Sequence, residues 1–180
     1  MSNRIAIGVG HYLGEPTREY EYPANDKVAA LLHSILTVNG YQADIFHGEL
    51  PQKVEAINQF TPDIALDIHF NRLEWPYNRQ RFGAGYEVCV WQGSVYGKLL
   101  AAQILKSFDE RLPFERRGNG IWERKDLYFL KHTRCPAAIP EPLFLDNPFE
   151  EPFLKTKRGY EFVATALFLG INSYFAERNQ

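Results

Sequence analysis

The sequence has too little cysteine for a disulfide framework and no apolar run long enough to cross a bilayer. Its two cysteines, Cys89 and Cys135, lack the Cys-x-x-Cys spacing of a metal knuckle, and in their apolar surroundings both read as buried free thiols. The longest apolar stretch, Phe162 to Ile171, falls well short of the roughly 20 residues that a membrane-spanning helix needs. An excess of charge is absent as well. Twenty Lys and Arg against 22 Asp and Glu leave a formal charge of −2, which gives no electrostatic case for nucleic acid or for an anionic membrane. The start Met-Ser-Asn-Arg runs straight into a short strand pattern, without the apolar core and small-residue cleavage site of a secretory signal. The protein is therefore expected in the cytoplasm as synthesised. No repeat, low-complexity tract or linker interrupts the chain. A dinucleotide-binding fingerprint is also missing: in Gly8-Val9-Gly10-His11-Tyr12-Leu13-Gly14 the third glycine comes one residue late, and a polar stretch with Pro16 follows instead of a helix.

What is present is an alternation of strand-like and helix-like segments over 180 residues, 45% of them hydrophobic. That length and composition suit one domain spanning residues 1–180 with a single sizeable core. The alternation predicts an α/β fold with a twisted, mainly parallel central sheet and helices on both faces. Strands are expected at Ile5–Gly10, Tyr41–Phe46, Asp63–His69, Gly85–Trp91, Tyr128–Leu130 and Ala137–Ile139. Helices are expected at about Pro23–Val38, Pro51–Phe60, Val95–Arg111 and Arg158–Phe175.

Parallel sheets place their ligand chemistry just beyond the carboxyl ends of the strands, and four residues converge on that rim. The run Ile64 to Phe70, broken only by Asp67, ends a buried strand on His69. A histidine so deep in an apolar strand needs a partner, which Asp67 or a backbone carbonyl could also supply. His11 directly follows the first strand, between glycines. Alone it reads equally as a structural histidine. Of the acids Glu15, Glu19 and Glu21, only Glu21 lies on the helical stripe of Asn25, Val28, Ala29, Leu32, Ile35 and Leu36. It thus aims toward the core side of the rim, although capping its helix would also explain it. Glu15 and Glu19 are expected in solvent. Glu141 ends the apolar strand Ala137-Ala138-Ile139, between Pro140 and Pro142, which hold its backbone extended. An exposed loop glutamate is the competing reading.

Two imidazoles and a carboxylate are a standard ligand set for catalytic zinc, which keeps a fourth position for water. A further carboxylate beside that water is what amide hydrolysis needs as general base. His11 and His69, with Glu21 and Glu141 as the two acids, supply the makings of such a site.

At this point the chain resembles the zinc-dependent N-acetylmuramoyl-L-alanine amidases, of the type with a lone catalytic domain. Ile5-Ala6-Ile7-Gly8-Val9-Gly10-His11 matches the family's strand followed by Gly-His. Glu21 heads an amphipathic helix closing with Gly40-Tyr41. Ile68-His69-Phe70-Asn71 matches Ile-His-x-Asn and is followed by Gly85-Tyr86-Glu87-Val88. Arg124 to Leu130 and Glu141-Pro142-Leu143-Phe144-Leu145-Asp146-Asn147 match the last segments. Departures fall on Gly8, where the family has an acid, on Tyr12-Leu13 in place of Gly-Gly, on Pro140 and on Leu143. The resemblance implies that His11, Glu21 and His69 bind Zn2+ with Glu141 as the catalytic base, and none of the departures removes one of these residues. The resemblance implies cleavage of the amide between N-acetylmuramic acid and L-alanine in peptidoglycan, by a monomer that acts on the wall after release, as phage or prophage lysins do. The competing readings are a zinc peptidase cutting within the stem peptide, a non-catalytic wall-binding module of the same fold and a metal-free structural domain. The segment Arg72 to Phe82, with Trp75, Tyr77, Arg79 and Arg81, is a candidate border of the substrate groove.

Overall fold

A computed structural model describes residues 2–13, 15, 20–72 and 83–178. Six strands form one sheet: β1 (Arg4–Val9), β2 (Gln42–Phe46), β3 (Ile64–Ile68), β4 (Tyr86–Trp91), β5 (Arg116–Arg124) and β6 (Ala137–Glu141). Their order is β2-β1-β3-β6-β4-β5. The first four in that order run parallel, β6 meets β4 antiparallel, and β4 and β5 are parallel to each other. The sheet is thus two parallel blocks joined back to front. The amino end of β4 therefore shares a rim with the carboxyl ends of β1, β3 and β6.

Helices α1 (Tyr22–Val38), α3 (Val95–Arg111) and α6 (Lys157–Arg178) pack together over one face. Their apolar stripes, including Val28, Leu32, Leu100, Ile104, Val163 and Leu167, are fully buried against Ile5, Ile7 and Leu66. The shorter α2 (Leu50–Phe60) and α4 (Tyr128–His132) cover the other face, where Val54, Ile57, Phe129 and Leu130 meet Ala6, Ala65 and Ile139. A single turn, α5 (Glu151–Leu154), precedes α6. Strands β1 and β3 are buried on both faces, as a sheet covered on both sides requires.

Three features depart from the sequence expectation. Tyr128–Leu130 is not a strand but the start of α4. Its neighbours Phe129 and Leu130 are both buried in the same cluster, which a helical turn allows and the two-sided alternation of a strand does not. Strand β5 and turn α5 were not expected. Among the residues of β5 only Gly120 is buried, so this edge strand carries no alternating signal. The two cysteines are free as expected, Cys89 buried and Cys135 half-buried.

The rim at the carboxyl ends is fastened by polar clasps. The Glu150 carboxylate accepts from the backbone N–H of Gly85 (2.6 Å) and of Phe144 (2.7 Å), and Asn147 donates to the Gly83 carbonyl (2.7 Å). These bonds tie the start of β4 to the segment after β6, and so fix the register of the antiparallel joint.

Candidate metal and catalytic site

Gly10 continues the ladder past the end of β1, donating to the Ile68 carbonyl at 2.9 Å. A Cβ on Gly10 would stand 2.6 Å from the His69 ring, so only glycine lets the two strand ends close on each other. His11 then turns into the left-handed region at φ 61°. A non-glycine residue held there is strained, at a cost of about 1–3 kcal/mol, and the strain goes into bringing its ring inward. The His11 and His69 rings meet edge to face with centroids 4.8 Å apart.

Glu21 sits at the N-cap of α1, yet its side chain makes no capping hydrogen bond. It turns to the rim instead. Oε2 lies 3.0 Å from His11 Nε2, and Oε1 lies 2.9 Å from His69 Nδ1 and accepts from the Phe70 N–H at 3.2 Å. Capping therefore does not explain this buried acid. Asn25, one turn along, is fully buried and donates to the Gly10 carbonyl at 3.0 Å and to Glu21 at 3.4 Å. It ties the helix to the loop that carries His11.

Each histidine also has a second carboxylate on its outer nitrogen. Glu15 lies 3.0 Å from His11 Nδ1, and Asp67 lies 3.3 Å from His69 Nε2. Glu15 was expected in solvent; it is half-buried against His11 instead. Glu19 lies outside the described residues. The charges of the cluster follow from this geometry. Burial pushes the Glu21 carboxyl upward, but the hydrogen bonds and charges of His11 and His69 outweigh it and hold Glu21 well below the usual carboxylate range. Burial depresses His69, but Asp67 and Glu21 outweigh it and raise the imidazole to about 10.

The donor set fits a divalent metal. One ligand atom from each of His11, Glu21 and His69 falls within 4.8 Å of the others, and the set of two imidazoles and a carboxylate is one that catalytic zinc uses. Outer carboxylates on both histidines are the usual support of metal-binding imidazoles.

Glu141 ends β6 on the same rim and pairs in register with Glu87 at the amino end of β4. Glu141 borders the cluster. Burial raises the Glu141 carboxyl to about 7; His69 opposes the shift, Glu87 and Glu21 add to it, and Arg117 opposes it. Glu87 is itself buried and neutralised by Arg117, whose guanidinium donates to both carboxylate oxygens at 3.0 Å. Asn71 donates to Glu87 at 3.3 Å. A cavity of about 410 Å³ opens between His11, Glu21, His69, Asn71, Arg72 and Glu141. All four residues singled out from the sequence thus line one space. Glu87, Arg117 and the buried Lys53 were not foreseen. For Lys53 and Glu87 the one sequence signal is a charge next to apolar residues, as Lys53 stands beside Val54 and Glu87 between Tyr86 and Val88; Arg117, between Arg116 and Gly118, offers none. Of the expected groove loop, Arg72 lines the cavity, and residues 73–82 lie outside the described part.

Comparison with known proteins bears on the family and the fold. A family profile described as N-acetylmuramoyl-L-alanine amidase matches residues 5–173. The germination-specific N-acetylmuramoyl-L-alanine amidase of Bacillus subtilis is 23% identical over 133 residues, 72% of this chain and 52% of that protein. The chain thus spans about half the length of that relative. Two solved structures share the fold. The CwlD amidase of Clostridioides difficile, in complex with the GerS lipoprotein, superposes with a TM-score of 0.84 at 20% identity, over 98% of this chain and all of that one. The catalytic domain of the CD27L endolysin, which targets Clostridia difficile, gives 0.79 at 24% identity over 95% and 97% of the two chains.

Proposed function

We propose, on the premise that this chain belongs to the N-acetylmuramoyl-L-alanine amidase family, that it hydrolyses the amide joining the lactyl group of N-acetylmuramic acid to L-alanine in peptidoglycan. His11, Glu21 and His69 would hold a zinc ion, which supplies Lewis acidity to the scissile carbonyl and to a water molecule. The chain's own residues do the rest. Glu141 takes the proton of the attacking water on a carboxylate oxygen and returns it to the departing alanine nitrogen. A carboxyl raised to about 7 suits both halves of that cycle, because it is neither too weak a base nor too weak an acid at neutral pH. Glu21, held ionised, supplies a negative ligand without competing for that proton. Glu87 keeps its own charge paired with Arg117 and so stays out of the proton transfer.

The observation that carries this reading is the placement of Glu141 on the cavity that the three-residue ligand set also lines. A wall-binding module has no use for a carboxylate outside the ligand set poised near neutrality. The test is incubation of the purified protein with peptidoglycan, with zinc and with chelator, followed by mass spectrometry of the fragments. Zinc-dependent release of stem peptides with a free L-alanine amine is the expected result. Cuts inside the peptide would reassign the protein as a peptidase, and zinc binding without any product would leave a binding module.

A further inference from the structure

A buried ion pair lies beneath His69 and takes no part in the reaction above. Lys53 of α2 and Asp67 of β3 are 2% and 1% exposed. The ammonium donates to Asp67 Oδ1 and to the Val9 carbonyl, both at 2.7 Å. The other carboxylate oxygen, Oδ2, faces His69 Nε2 at 3.3 Å. Buried ion pairs rarely stabilise a fold more than apolar residues of like volume would, so stability alone does not account for this one. The surroundings are shaped to admit it. Gly8 stands in register with Asp67, and a Cβ on Gly8 would overlap the Asp67 carboxylate. Strand β1 gives up a side chain there so that the acid fits.

What the pair controls is which ring nitrogen of His69 faces the ligand cluster. A neutral imidazole carries one proton, and the nitrogen without it is the one that can bind a metal. Nδ1 of His69 faces Glu21 and the His11 side, at 2.9 Å from Glu21 Oε1; Nε2 faces away, toward Asp67. Asp67 Oδ1 accepts from Lys53, and Oδ2 is placed to accept from His69 Nε2. We propose that Asp67, anchored by Lys53, is a positioning residue that holds the His69 ring through Nε2 and thereby presents Nδ1 to the metal. His11 is oriented the opposite way, with Nε2 toward Glu21 and Nδ1 toward Glu15, so the two histidines would offer different ring nitrogens. This inference rests on His69 being a metal ligand.

The test uses the whole chain and two readouts. In the zinc-loaded wild type, long-range proton–nitrogen NMR of His69 is expected to show the metal on Nδ1 and the proton on Nε2. The double variant Lys53→Met/Asp67→Ala removes both buried charges together and so avoids stranding either one. Its folding is checked by circular dichroism, and its zinc affinity by competition with a chromophoric chelator. A loss of about 10- to 100-fold in affinity is expected for removal of such an outer partner. A folded double variant with unchanged zinc affinity, or a wild-type His69 with its proton on Nδ1, overturns the role of Asp67. A wild type that binds no zinc overturns the ligand assignment on which that role rests.

Discussion

Glu141 illustrates how much of the proposed chemistry rests on the surroundings of single side chains. Its carboxyl, ordinarily near 4.5, is raised to about 7 chiefly by burial. Between those values the folded protein holds a proton that the unfolded chain releases, so this group's contribution to stability falls as pH rises from 4.5 to 7. Glu141→Gln removes the ionisation. In urea titrations of the metal-free protein, the variant should match wild type near pH 4. Near pH 8 it should be more stable, by at most about 3 kcal/mol at about 1.4 kcal/mol per pKa unit. A variant that is less stable than wild type at pH 8 would contradict the assignment of burial as the cause. The same substitution leaves the ligand set intact, so zinc affinity should stay within a few-fold while turnover on peptidoglycan falls by about 10²- to 10⁴-fold.

At the scale of elements, the joint between β6 and β4 sets the environment of Glu141, and β5 tunes it through Arg117. That guanidinium favours the ionised form of Glu141. Arg117→Ala withdraws it and also leaves the Glu87 charge uncompensated. The acid limb of the pH profile of kcat/KM should then move to higher pH; an unmoved limb would show that Arg117 does not reach Glu141. On the opposite half of the sheet, α1 holds Glu21 in place through a fully buried stripe. Leu32→Ala in that stripe should cost about 2–5 kcal/mol, read as a lower urea midpoint with an unchanged slope. The sequence makes such elements visible in proportion to their burial. β1, β3 and α1 present strong apolar patterns, and the rim residues His11, His69, Glu21 and Glu141 stand out as the polar groups that end or flank those patterns. β5 offers almost no burial, and Gly118 and Gly120 within Arg116–Arg124 read as a turn. Tyr128 to Leu130 has the aromatic content of a strand, and only its burial on a single face reveals a helix. Lys53, Glu87 and Arg117 were illegible for a further reason. Each is explained by a partner on another element, Asp67, Arg117 and Glu87 respectively, and such pairings exist only once the sheet order is known.

For the whole molecule, the proposed metal site would couple metal binding to folding. A ligand that binds only the folded state at about 100 times its Kd adds about 2.7 kcal/mol. In a chain of this size that corresponds to a rise in Tm of about 5–10 °C. Scanning calorimetry with zinc and with chelator should show that rise and its reversal, and Glu21→Ala should abolish it while wild type retains it. A metal held by His11, Glu21 and His69 would join the loop after β1, the head of α1 and the end of β3, so its effect should reach the main core and not the rim alone.

The strand order carries one more consequence. β6, sixth in sequence, lies between β3 and β4 in the middle of the sheet. A chain emerging from the ribosome with β1 to β5 already made has a gap at its centre, flanked by two open strand edges. The strand that fills the gap is also the one that delivers Glu141. No chain that stops short of β6 can therefore hold the complete cavity, and hydrolytic competence would arrive together with the closing of the sheet.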